Sequence, residues 1–169
     1  ASTIKNNLEN TDIIFITVGT PTRRLEDEAD LSFVWQVAEE IADNINKYCL
    51  VVTTSTVPVG TTREVKKIIS KKIDQDLFDV VSNPEFLREG SAINDFMNPD
   101  RIVIGYEDSL TKNRLEKLYK DWQCDKLYVN TRTAELIKYA NNALLALQIS
   151  ATNEIANLAK KVEGIDIEE

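Results

Sequence analysis

A chain of 169 residues, 43% of them hydrophobic, can bury one core plus an appendage, and no apolar run in it approaches the ~18 residues of a membrane helix. Its net charge of −8 argues against a nucleic-acid surface, which needs clustered Lys and Arg to displace counterions from phosphates. Two cysteines and no histidine give neither a zinc-ligand pattern nor a disulfide framework, so no metal is expected. With no signal-like N-terminus, a soluble cytoplasmic protein is expected, with Cys49 and Cys124 buried and reduced.

In chain order, short apolar runs alternate with amphipathic segments. Residues 13–18, β-branched and closed by Gly19 and Pro21, predict a buried strand. Asp30 stands as the N-cap of a helix over 31–45, where Val34, Ala38, Ile41 and Ile45 recur at helical spacing. A strand follows over 50–54. The next helix begins near Thr61, which has capping-box spacing to Glu64, and it carries Val65, Ile68 and Ile69 on one side. Lys66, Lys67, Lys71 and Lys72 surround that apolar side and read as a solvated face. Strands are expected at 78–82, 101–106 and 126–129, with a helix over 109–122 between the last two. From 133 to 161 there is neither Pro nor Gly, and Leu136, Ala140, Ala143, Leu147, Ala151 and Ile155 lie on a helical stripe. Leu145, Ile149 and Ala156 lie off it, so this long helix is apolar on more than one face and is expected to be buried between domains or subunits.

Strands alternating with single helices imply an α/β fold with a parallel sheet, in which ligands sit outside the carboxyl ends of the strands. Three loops fall at such ends: VGTPT (18–22), TSTVPVGT (54–61) and NPEFLREG (83–90). The third sets Glu85 and Glu89 four residues apart with Arg88 between them, a cluster that chemistry needs more than packing does. Ordinary turns would explain one such loop; three on one rim favour a site. Lys138 and Asn142 stand one turn apart in the most apolar part of the long helix, either as a functional pair or as a solvated face with Glu135 pairing nearby.

The motifs FITVGTP, ADLSFV, STVPVG, NPEFLREGSA, NPDRIVIG and ELIKYANNALLA stand in the order and approximate spacing of a known family. The chain resembles the nucleotide-sugar dehydrogenases, the UDP-glucose/GDP-mannose dehydrogenase family, and is closest in pattern to the UDP-glucose branch. The resemblance implies a Rossmann-type α/β fold with a partial NAD-binding domain over 1–130 and the start of a central helical dimerisation domain over 131–169. It implies oxidation of the sugar C6 alcohol of UDP-glucose to a carboxylate by two hydride transfers to NAD, through a cysteine thioester, in a homodimer formed by the long helix. Carried over by position, Thr56, Glu85, Lys138 and Asn142 are the catalytic candidates. Thr56 would hold the catalytic water, Glu85 would act as base in thioester hydrolysis, and Lys138 with Asn142 would face the C6 oxygen. Phe86, Leu87, Arg88 and Glu89, with Glu85, Lys138 and Asn142, would meet the nucleotide sugar. Val18, Gly19, Thr20, Pro21, Thr22, Ser55, Thr56 and Glu89 would meet the cofactor. The family's GxGxxG turn and its nucleophilic cysteine loop are not in this sequence, so a fragment is expected, one inactive alone. The charged segment TRRLEDE (22–28) replaces a turn that often contains glycine in the family. A non-catalytic dimerisation or regulatory module, or a GDP-mannose dehydrogenase, is the alternative.

Overall fold

The computed structural model describes residues 8–23, 28–162 and 164–166, and the chain divides into two compact units, Ala1–Lys138 and Tyr139–Glu169. In the first, five strands form one sheet in the order β1 (Ile13–Ile16), β2 (Cys49–Thr53), β3 (Phe78–Ser82), β4 (Arg101–Gly105) and β5 (Asp125–Val129). The helices between them are α1 (Ser32–Asn44), α2 (Thr61–Ser70), α3 (Ala92–Met97) and α4 (Ser109–Leu118). A fifth helix, α5 (Thr131–Ala159), supplies its first eight residues to this unit, and its remainder belongs to the second. No helix among the described residues is long and apolar enough to cross a membrane.

β2 is buried along its whole length, so its side chains pack alternately on two sides of the sheet. Cys49 and Val51 join Val34, Ala38 and Ile41 of α1, Val65 and Ile69 of α2, and Phe78 and Val80 of β3. Leu50 and Val52 join Val81, Ile102, Ile104 and Leu115 in a second cluster. Two cores thus sandwich the sheet, and each fully buried Val, Ile or Leu contributes about 1.5–3 kcal/mol.

The structure corrects several expectations. β1 was expected to be buried, yet it sits at the end of the strand order with only Ile16 buried and Phe15 exposed. The sheet is parallel as expected at three of its four pairings, but β3 and β4 are antiparallel, joined at Ser82 and Gly105. Direction reverses because the 18 residues after β3 hold only the six-residue α3, too short a helix to carry the chain back across the sheet. Asp30 does not occupy the N-cap position of α1, which falls on Leu31; its carboxylate instead accepts the Ser32 N–H at 3.0 Å. Cys124 is half-buried, not buried, although both thiols are free. Lys66, Lys67 and Lys72 pair with Asp79, Glu64 and Asp43, in keeping with a solvated face. On either side of residues 24–27, which lie outside the described residues, Thr22 bridges Ala29 antiparallel and the Arg23 N–H donates to the Glu28 carbonyl at 2.8 Å.

Candidate active site

The strand registers form one row across the sheet. Ile16 pairs with Thr53, Thr53 with Ser82, Ser82 with Gly105, and Gly105 with Val129, each the last residue of its strand. Antiparallel pairing therefore still delivers all five carboxyl ends to one line, and the three singled-out loops leave from it.

The first two loops are tied together by hydroxyls. Ser55 Oγ donates to the Val18 carbonyl at 2.7 Å, and Thr20 Oγ1 donates to the Thr56 carbonyl at 2.7 Å. Thr54 Oγ1 donates to the Ile16 carbonyl at 2.9 Å. Each hydroxyl has spent its single proton, so it meets any ligand as an acceptor. Val18, Ser55 and Thr56 are half-buried, whereas Gly19, Pro21 and Thr22 are exposed.

The third loop is rooted by Asn83, which is 5% exposed. Its N–H donates to the Thr53 carbonyl at 2.9 Å, its Nδ2 to the Val103 carbonyl at 2.8 Å, and its Oδ1 accepts the Tyr119 hydroxyl. Burial pushes that phenol up to about 12, so it stays a donor at any ordinary pH. Beyond this root, Glu85 accepts the Leu87 N–H at 2.6 Å with Oε2 and meets Lys138 Nζ at 3.1 Å with Oε1. Lys138 is 6% exposed, and Phe86 lies between two cations, 5.2 Å from Lys138 Nζ and 4.9 Å from the Arg101 guanidinium. Arg88 is held from the other side: Asp95 takes its Nε at 3.1 Å, its terminal nitrogen at 2.7 Å and its backbone N–H at 3.0 Å, and also the Ser91 hydroxyl. Leu87 and Glu89 are exposed.

The alternative in which Glu135 pairs near Lys138 is not what the structure contains. Glu135 accepts the Gly60 N–H at 2.6 Å and the Thr62 N–H at 2.7 Å, and so caps α2 from 73 to 75 residues away. The capping box expected of Thr61 and Glu64 is therefore absent. Thr61 donates to the Pro58 carbonyl, and α2 has no side-chain cap from its own segment.

Of the candidate residues, the structure brings together Val18, Thr20, Ser55 and Thr56 in one group and Glu85, Phe86 and Lys138 in another. Asn142 belongs to the second unit, where its side chain is exposed. Sequence reasoning missed Asp95, which orders Arg88, and Glu135. The available signal for Glu135 was an acid three residues before Lys138 in an otherwise apolar helix.

For a dinucleotide, the described residues offer an open rim. No atom lies within 4 Å of a Cβ built on Gly19, and the Thr20 and Ser55 hydroxyls suit an amide donor such as a carboxamide. The residues present thus fit one side of an NAD site.

Comparison with known proteins agrees. A family profile described as the NAD binding domain of the UDP-glucose/GDP-mannose dehydrogenase family matches residues 1–123, and the profile of that family's central domain matches residues 132–169. The UDP-glucose 6-dehydrogenase of Rhizobium meliloti (strain 1021) is 48% identical over 164 residues, which are 94% of this chain and 38% of that protein. Among solved structures, a UDP-glucose dehydrogenase from the hyperthermophilic archaeon Pyrobaculum islandicum superposes with a TM-score of 0.90 at 42% identity, covering 99% of this chain and 39% of the other. The GDP-mannose dehydrogenase of Pseudomonas aeruginosa, in a ternary complex, gives 0.82 at 35% identity, covering 93% and 37%. The chain spans under two fifths of the length of these relatives. With one profile covering most of its length and the next beginning nine residues later, the chain belongs to the UDP-glucose/GDP-mannose dehydrogenase family and carries sequence of that family's NAD binding domain.

Proposed function

We propose that this chain is part of an NAD-dependent dehydrogenase that oxidises the C6 alcohol of UDP-glucose to a carboxylate, with residues 1–130 on the cofactor side and 131–169 opening the central dimerisation domain. The observation that carries this reading is the buried Lys138 ammonium, 3.1 Å from Glu85 at the row of strand ends. A cation there stabilises negative charge developing on an alcohol oxygen as its hydrogen departs, and the paired carboxylate can take up a proton. NAD, when bound, supplies the hydride acceptor. Thr56 and Ser55 border it, and Phe86, Leu87, Arg88 and Glu89 border the nucleotide sugar. Glu85 serves in turn as base for a water that releases the acid from a thioester. Cys49 does not supply the thiolate for that step, since it is 0% exposed and burial pushes its thiol up to about 11. Two free thiols go with a reducing, cytoplasmic setting.

The UDP-glucose assignment is supported by the 48% identity to an enzyme of that name, against 35% for the GDP-mannose enzyme. In the family-length protein that carries this segment, Lys138→Ala is expected to lower kcat about 10²- to 10³-fold with little change in nucleotide-sugar KM. An unchanged kcat overturns the reading.

A second copy of the chain is the partner we infer for the second unit. Leu144, Leu145, Leu147, Ile149, Ile155 and Leu158 are all at least 50% exposed there, a density of large apolar side chains that solvated helices avoid. Sedimentation equilibrium should give twice the monomer mass, and Leu147→Glu with Ile155→Glu should return it to the monomer. A monomer in the unsubstituted protein overturns the pairing.

A further inference from the structure

Glu135 is a carboxylate with 2% of its surface exposed, and a charge so placed must be fully partnered. Its partners come from another element: the Gly60 N–H at Oε2 and the Thr62 N–H at Oε1. They are the first free donors of α2, and the carboxylate also sits at the positive end of that helix's dipole. Gly60, whose N–H Glu135 accepts, has φ 101°, a left-handed conformation that side chains resist. The start of α5 is thereby fixed to the turn that carries Thr56 into α2.

Three residues along the same helix, Lys138 meets Glu85. One turn of α5 thus grips two loops, the one after β2 through Glu135 and the one after β3 through Lys138. We propose that Glu135 is a positioning residue, whose anchorage on α2 sets where Lys138 Nζ stands beside Glu85. The proposal rests on the reading of Lys138 as the group that faces the reacting alcohol. It goes beyond that reading by assigning a role to a buried acid that holds backbone N–H groups at the start of α2. A shift of about 1 Å in the start of α5 moves Nζ by a similar amount, and misplacement on that scale costs up to about 100-fold in rate.

The test is a double-mutant cycle in the family-length protein. Glu135→Gln keeps shape but sets an amide donor against one of the two N–H donors, so one contact is lost. It is expected to lower kcat about 10- to 100-fold, to leave the nucleotide-sugar KM within about threefold, and to have no further effect on kcat when Lys138 is already alanine. Gly60→Ala weakens the same contact from the α2 side and is expected to show the same dependence on Lys138. Ile69→Val, in the buried face of α2 and away from both loops, serves as the stability control and should leave kcat unchanged. Equal losses with and without Lys138, or folded Glu135→Gln and Gly60→Ala proteins of full kcat, overturn the positioning role. Failure of both variants to fold also overturns it, since Glu135 then serves the fold alone. If Lys138→Ala itself keeps full kcat, the underlying site reading falls first and takes the positioning role with it.

Discussion

Gly105 ends β4 where α5 begins, and it has no room for a side chain. A Cβ there would lie 2.6 Å from the Ala134 Cβ and 2.9 Å from the Thr131 Cα, the latter backbone that cannot rotate away. Gly105→Ala should therefore lower stability by about 1–3 kcal/mol, read as a drop in denaturation midpoint; a midpoint equal to the parent's would mean that α5 yields easily at this point. The glycine of NPDRIVIG is thus a contact residue, a role its place at the end of an apolar run does not reveal. Glu85 and Lys138 were readable as candidates because each is a charge beside an apolar segment that would otherwise exclude it. Glu135 had the same mark, but its partners lie 73 and 75 residues away, and no local pattern encodes a contact at that separation. Asn83 looked like the first residue of a ligand loop, and the structure makes it the loop's buried root.

The NPEFLREG loop and α3 behave as one element because Asp95, near the middle of α3, collects four donors from the loop and its end. The Arg88 side chain, then its backbone N–H, then the Ser91 hydroxyl hold the Asp95 carboxyl well below its usual value of 3.8. A depressed carboxylate pKa adds stability that is complete above the unfolded value and is lost as pH falls through the folded one. The midpoint difference between the parent and Asp95→Asn should accordingly be constant above about pH 5 and shrink as pH falls below 4. A difference independent of pH down to 2 would show that the carboxylate charge is not what holds the loop. Most elements were visible in the sequence because apolar residues recur with a period of two or near 3.6, and boundaries moved by only a few residues. α3 was not visible, because its apolar Ile93, Phe96 and Met97 stay exposed and form no core-facing stripe. The reversal at β4 was equally hidden, since a buried run of Ile and Val reads the same in either strand direction.

At the scale of the molecule, the question is whether the described residues offer a dinucleotide any phosphate anchor. Helix N-termini are the usual one, because their free N–H groups and positive dipole ends bind anions. Here each of the four longer helices has at least one N-terminal donor engaged by a side chain of the chain itself. Asp30 accepts the Ser32 N–H of α1, Glu135 the Gly60 and Thr62 N–H groups of α2, Asp108 the Leu110 and Thr111 N–H groups of α4, and the Asn130 amide oxygen the Thr133 N–H of α5. Three of these four acceptors are carboxylates, so they repel a pyrophosphate as well as occupying some of the donors it would use. No GxGxxG turn occurs in the sequence to add another. What remains for NAD among the described residues is the rim of Gly19 to Thr22 with Ser55 and Thr56, whose side chains bring no formal charge to a phosphate. The 169-residue chain alone is therefore expected to bind NAD with a Kd weaker than about 1 mM, equivalent to less than about 4 kcal/mol. Isothermal titration of the chain with NAD measures this directly. Micromolar affinity would mean that one of the capped N-termini opens to receive phosphate, and Glu135 on α2, whose release would also free Lys138, would be the first place to look.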